Sequence, residues 1–289
     1  MKLVKKALAG VAVAAALATS AQATVINIDG IYWDPSAAVD LAATAGFYQW
    51  FQSSATTVDA TTAATLSDTN SPVGRYLTGV GAITTLNAAN NIAGTPNPET
   101  TPAQFAPNTQ LTLAFGGIKV NSVNITNPAA PVYSLDLSQS FFTLYSDTSK
   151  NFDDASPVAA NLNLAVDAGD IFLSGKFDAF SLSAFFATVG GTVGSILGGN
   201  TFGLMSATGG DALGNFDTNT QSNALIGVFG SDITMNGSAQ FNLNPTGSIS
   251  NVATLNLQGN TIPEPASIAL IGLAMLGAGV ASRRKSAKK

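Results

Sequence analysis

The chain has 289 residues, 46% of them hydrophobic, with no cysteine, no histidine and a formal charge of −5. Without cysteine there is no disulfide, no thiolate nucleophile and no Cys-type zinc site, and without histidine the commonest general base and transition-metal ligand are both missing. Any catalysis would rest on carboxylates, on serine with lysine, or on tyrosine, and the chain is read as a non-enzyme.

Residues 1–23 open with Lys2, Lys5 and Lys6, continue through an apolar stretch at 7–18 and end in Ala21-Gln22-Ala23. That order is the pattern of a secretory signal peptide, with Ala21 and Ala23 as the small residues of the cleavage motif. The mature chain is expected to begin at Thr24 after passing the secretion translocon. Without this segment and the basic C-terminus, Arg75, Lys119, Lys150 and Lys176 face 16 acids between residues 24 and 262, a formal charge of −12. Such a body repels nucleic acid and anionic lipid and has the sign to attract divalent cations or basic partners.

Residues 25–29 (VINID) alternate and predict an opening strand, broken by Tyr32-Trp33-Asp34-Pro35. Residues 36–51 hold few turn formers and the aromatics Phe47, Tyr48, Trp50 and Phe51. They predict a short helix capped by Ser36, with a loop packed over a sheet edge as the alternative. Core packing of these aromatics is preferred to a sugar-stacking patch. Residues 53–69 are mostly Thr, Ala, Ser and Asp with no apolar period, and predict a loop or ragged edge. Residues 75–86 read as a strand whose glycines suggest bulges. Pro96, Pro98, Pro102 and Pro107 then rule out a central strand at 94–107.

The period-2 signal is strongest beyond that point. Leu111, Leu113 and Phe115 alternate with Thr112 and Ala114, and Ile118 and Val120 continue past Gly116-Gly117, which predicts a hairpin or a bulged bend. Leu135 and Leu137 lead into 141–145. Leu162, Leu164 and Val166 alternate with Asn161, Asn163 and Ala165, and a strand at 170–177 follows a D-A-G-D turn. The glycine-rich stretch 188–214 contains no phosphate-loop motif and reads as loops and bulged strands. Residues 225–229, 233–235, 239–243 and 252–257 supply the last strands. Short strands between polar turns predict an all-β body over 24–262, an antiparallel sandwich or jelly roll.

Residues 147–154 (DTSKNFDD) place oxygen-bearing side chains at alternating positions. Phe152 stands where an EF-hand needs glycine, and Val158 where it needs glutamate. Two readings remain open: an irregular calcium site built from Asp147, Asp153 and Asp154, with no other cofactor, or a solvated turn closing two strands. A carboxylate-based glycan hydrolase would draw on Asp153 with Asp154 or Asp167 with Asp170. Neighbours on a strand point to opposite faces, and the second pair flanks a turn, which weighs against both.

At the C-terminus Pro263-Glu264-Pro265 precedes an uncharged run over 266–282, followed by Arg283, Arg284, Lys285, Lys288 and Lys289. The prolines keep their segment extended, and the run would make a helix of about 25 Å, slightly short of the roughly 30 Å hydrocarbon layer. The basic end predicts retention on the cytoplasmic face, with everything before it across the membrane. This order resembles the PEP-CTERM sorting signal of Gram-negative bacteria. The resemblance implies that an exosortase reads Pro263, Glu264 and Pro265 together with the helix and the Arg283-Arg284 cluster. It further implies cleavage near the triplet, so that membrane contact is transient and the mature protein ends at the outer surface or in the extracellular matrix.

Three body segments, 75–81 (RYLTGVG), 110–117 (QLTLAFGG) and 142–147 (FTLYSD) running on to Asn151-Phe152-Asp153, are similar to the flocculation-associated subgroup of those proteins. That resemblance implies a structural role in floc or biofilm formation, with exopolysaccharide or matrix glycans as partners. The alternative is a secreted lectin-like carbohydrate-binding module.

Overall fold

Alternation of apolar and polar residues between 41 and 259 produces long antiparallel strands that join into one ring. The computed structural model describes residues 26–33, 41–64, 72–86, 105–124, 126, 132–166, 169–189, 192–241 and 249–261. The expected signal peptide, the Asp34-Pro35 break, Asp167, most of the proline-rich stretch and the C-terminal sorting segment lie outside the described residues.

Two short strands, β1 (Ile26–Ile28) and β2 (Ile31–Trp33), precede β3 (Leu41–Gln52), β4 (Tyr76–Leu86), β5 (Gln110–Asn124), β6 (Val132–Asp136) and β7 (Phe141–Asp147). Then come β8 (Asp170–Val189), β9 (Thr192–Gly209), β10 (Gln221–Asn223), β11 (Val228–Ser231), β12 (Ile233–Phe241) and β13 (Ser250–Gly259). Strands β3, β4, β5, β7, β8, β9, β12 and β13 pair in that order, all antiparallel, and β13 returns to β3. The all-β antiparallel expectation is met. The sheet differs from a sandwich or jelly roll in arrangement: it is a single meander whose first and last strands meet, which removes the edges of those eight strands.

A barrel of eight strands is just wide enough for its own side chains to fill. One rung runs Gly79, Phe115, Phe142, Gly175 across β4, β5, β7 and β8, so two large rings are flanked by two residues without side chains. The rings use that space. A Cβ on Gly79 would lie 2.5 Å from Phe115 Cε1, and one on Gly175 would lie 2.6 Å from Phe142 Cε1. Phe177 packs edge-on against both Phe115 and Phe142, at 6.3 and 6.4 Å between centroids, and Phe47 meets Phe115 at 6.1 Å. Edge-to-face pairs of this kind add about 0.5–1.5 kcal/mol each beyond the area they bury.

Gly116-Gly117 lies within a continuous β5 and not in a hairpin turn. Residues 110–116 pair with β7 and 119–124 with β6, so β6 and β7 together run along one edge of β5. Between them residues 137–140 bulge toward Gly117, whose φ is +69° and where a Cβ would collide with the Gln139 carbonyl oxygen at 1.9 Å. The bend shifts the inward positions from Leu111, Leu113 and Phe115 to Ile118 and Val120, all buried.

A second, smaller cluster covers the outer face of β3, β4 and β5. Tyr48, Trp50, Val80 and Ala114 pack there against Ala60, Phe152, Leu162 and Ala165. Because both faces of β3 are covered, its sequence lacks clean alternation, and the helix expected at 36–51 is a strand from Leu41 onward. Its aromatics are buried, as the core reading required. The break expected at Tyr32-Trp33 is likewise strand β2, joined to β1 by a two-residue Asp29-Gly30 turn with φ of +52° and +79°.

The strand expected at 161–166 is helical, Ala159–Leu162 followed by a 3₁₀ turn Asn163–Val166. Leu162 and Ala165, three residues apart, are the buried positions, which is a helical and not an alternating spacing. Asn163 Oδ1 accepts the Ala60 N–H at 2.9 Å and Thr112 Oγ1 donates to the Ala165 carbonyl at 2.7 Å, tying the turn to the barrel. The loop at 53–59 is ordered by buried Gln52, which accepts from Trp50 Nε1 at 3.0 Å and donates to the Ser54 and Thr57 carbonyls. Most of the stretch 188–214, expected as loops and bulged strands, is strand β9, paired on both sides and with several register shifts against β8. In the strand expected at 225–229, residues 224–227 form a turn before β11.

Substituting Gly79→Ala should lower the unfolding free energy by about 1–3 kcal/mol, the usual cost of overpacking. Phe115→Leu should cost less in that background than in the parent, since it removes the ring the new methyl strikes. A chemical-denaturation cycle measures this, and purely additive costs would contradict the rung packing.

Candidate functional site

Among the described residues large apolar side chains pack the barrel interior, and polar groups are presented on the outer surface. Along β12 and β13 the inward residues Ile233, Met235, Leu255 and Leu257 are buried, and the alternate positions Asn236, Ser238, Thr254, Asn256 and Gln258 are exposed. The ladder sets Asn236 opposite Asn256, and Ser238 opposite both Thr254 and Asn200 of β9. Directly opposite side chains on one face stand about 4.5–5.5 Å apart, so these groups form a contiguous patch.

The patch borders a groove of about 290 Å³, to which Thr201 and Gly237 also contribute. Ser238 and Thr254 hydroxyls lie 3.0 Å apart across it, and Ser183 Oγ donates to the Asn200 carbonyl at 3.4 Å. Each asparagine offers two donors and an acceptor, and each hydroxyl offers one donor with two lone pairs. Such a surface can match the donor and acceptor pattern of a neutral, hydroxyl-rich ligand. The groove lining contains no carboxylate, lysine or arginine.

The acidic residues singled out in the sequence lie outside the groove lining, at the end of β7, at the start of β8 and over the outer face of β3, where an Asp154 carboxyl oxygen lies 3.9 Å from the Cβ position of Gly46, the β3 partner of Thr254. Asp147, at the end of β7, is buried and accepts from Ser149 N and Oγ at 2.7 and 2.6 Å and from Gln110 Nε2 at 2.8 Å. Burial pushes its carboxyl up, but the hydrogen bonds from Ser149, Gln110 and the Asn151 N–H outweigh this and hold it below the ordinary aspartate value. Asp153 Oδ1 caps its own turn, accepting the Ala155 N–H at 3.0 Å, and the Asp154 carbonyl accepts from Tyr48 OH at 2.9 Å. Tyr48 is raised above the ordinary tyrosine value, first by burial and then by the charges of Asp154 and Asp153. Among the described residues no three acidic side chains gather closely enough to hold a metal ion. Asp170 opens β8, and its partner in the second nominated pair, Asp167, lies outside the described residues.

The groove residues were not singled out in the sequence. The alternation V-A-T-L-N-L-Q at 252–258 marks Thr254, Asn256 and Gln258 as one face. Which strands stand beside it, and in which register, is decided only by the closed sheet.

Residues 261–285 match the PEP-CTERM protein-sorting motif. The match covers Pro263, Glu264, Pro265, Arg283 and Arg284, which lie outside the described residues. The protein is thus an exosortase substrate, exported and held transiently at the membrane through its C-terminal region. No curated protein and no solved structure matches the chain. No helix among the described residues is long and apolar enough to cross a membrane.

A carboxyl held low in the folded state contributes stability above its unfolded value and loses that contribution as pH falls through the folded value. Asp147→Asn should therefore lower the thermal midpoint at neutral pH, with the gap to the parent closing below about pH 4, the ordinary aspartate value. Melting curves across pH test this. A gap that did not change with pH would mean the charge of Asp147 contributes nothing.

Proposed function

We propose that the exported barrel is a structural component of an exopolysaccharide matrix, acting in floc or biofilm formation, and that it holds neutral glycan on the outer face of β9, β12 and β13. The observation that carries this reading is the uncharged strip of Asn200, Asn236, Ser238, Thr254 and Asn256 on a body with a formal charge of −12. An acidic polysaccharide would meet repulsion from such a body, whereas a neutral one loses nothing by approaching it.

Single contacts of amides and hydroxyls with sugar are weak because each replaces a bond to water. A repeating polymer engages several barrels at once, and avidity then supplies retention that one groove lacks. Processing by the exosortase frees the barrel from its own membrane anchor and leaves it at the outer surface or in the matrix. The segments similar to flocculation-associated proteins fall mainly in β4, β5 and β7, and they supply Gly79, Phe115 and Phe142 to the barrel interior. That similarity favours a shared scaffold; the glycan-facing residues belong to other strands.

Affinity electrophoresis of the secreted protein through gels containing neutral exopolysaccharide tests the contact. Asn236→Ala combined with Asn256→Ala should weaken retention roughly 5- to 150-fold, from two hydrogen bonds at about 0.5–1.5 kcal/mol each. Equal mobility of parent and variant would refute the groove, and release of reducing sugar would reveal a hydrolase instead. Retention should be the same with calcium and with EDTA. Loss on chelation would assign the contact to Asp147, Asp153 and Asp154. Cells lacking the gene should flocculate poorly, and normal flocculation would remove the matrix role whatever the gels show.

A further inference from the structure

Residues 218–231 (TNTQSNALIGVFGS) contain no charged side chain. They form the hairpin of β10 and β11, in which Asn223 Oδ1 accepts the Leu225 N–H at 3.0 Å and Gly227 takes φ of +70° to close the turn. On it Leu225 is 96% exposed, Phe229 70% and Ile226 49%. Isolated apolar residues on a surface need no explanation, but three large ones on one short hairpin make a patch.

The base of this hairpin is fixed. Asp232, buried, accepts the N–H groups of Ala207, Thr218 and Asn219 at 2.8, 2.8 and 2.7 Å, and Ser231 Oγ donates to Asp178 Oδ2 at 2.7 Å. The apolar tip therefore projects from an anchored stem.

Its place in the chain gives it a partner. β11 runs into β12, whose first residue, Ile233, pairs with Gly259 at the end of β13. Two residues later, at Thr261, the sorting motif begins. The uncharged run starts at Ala266, five residues on, which is at most roughly 17 Å of extended chain. Until the tail is cut, this end of the barrel is tethered within that distance of the start of the membrane segment. The four residues of β11 alone span roughly 13 Å, a matching length.

We infer that the β10–β11 tip is an interfacial membrane contact, with Leu225, Ile226 and Phe229 entering the lipid interface while the sorting segment still anchors the chain. The depth is limited to the headgroup and upper acyl region, because a two-stranded hairpin has outer N–H and C=O groups that hydrocarbon cannot satisfy. Zwitterionic lipid is the suitable surface, since anionic headgroups would repel the acidic body. Lipid contact at the hairpin adds to the anchoring that the sorting segment provides while the tail is uncut. This inference is independent of the glycan contact and rests on the sorting segment as anchor.

The test uses the full chain in phosphatidylcholine vesicles with brominated acyl chains, which quench tryptophan on contact. Trp33 and Trp50 are fully buried and give a constant background. In Leu225→Trp the added fluorescence should be strongly quenched, whereas in Val132→Trp, on exposed β6 beside the far half of β5, it should not. Equal quenching at the two positions overturns the inference. So does an unquenched Leu225→Trp whose emission shifts to the blue with protein concentration, which would assign the tip to a second copy of the chain. A chain that fails to float with the vesicles removes the anchor itself, a result distinct from a floating chain with an unquenched tip.

Discussion

The close approach of phenylalanine rings to glycine backbone inside the barrel is the constraint on which the other features depend. Phe115 and Phe142 face each other across β5 and β7, with Gly79 and Gly175 beyond them, and Phe177 closes over both rings. Had the flanking positions carried even a methyl group, the rings would have no room at their present height in the barrel. With glycine there, the rings fill the space that the strands enclose at that height of the barrel.

The outer wall differs in burial from one side to the other. On β3, β4 and β5 the outer face is covered by the segments around Ala60 and Leu162, and large apolar residues such as Tyr48, Trp50 and Val80 are buried on it. Among the described residues no such layer covers Asn236, Ser238, Thr254, Asn256 and Gln258 on β12 and β13, which are exposed. One side of the barrel is thus a second core and the other a polar surface able to meet hydroxylated polymer. The far end of the body's chain, near Ile233 and Gly259, is where an uncharged apolar hairpin and the sorting motif follow from neighbouring strands.

The strands of the body were largely legible wherever one face is buried and the other is wet, as at 111–115 and 252–258, because there the side chains repeat with the period of the strand. Legibility failed where a second layer erased that period. In β3 both Phe47 and Tyr48 are buried, so the segment resembled a helix. At 161–166 the alternation of asparagine and leucine imitated a strand, although the asparagines serve as hydrogen-bond partners for neighbouring loops. The Asp29-Gly30 turn is a readable signal, since Asp-Gly between apolar residues is a hairpin marker.

By itself the sequence determined where the chain goes: the Pro-Glu-Pro triplet, the uncharged run and the basic end are contiguous in the chain and need no fold to be read. It also determined that the body is β-rich and acidic and that it lacks histidine and cysteine for chemistry. Only the tertiary structure decided that β13 meets β3, that Phe115 lies over Gly79, and that Asn200, Asn236 and Asn256 share one surface. Those facts depend on the register between strands far apart in the chain, and register is chosen by how whole faces pack, which no local stretch of residues contains.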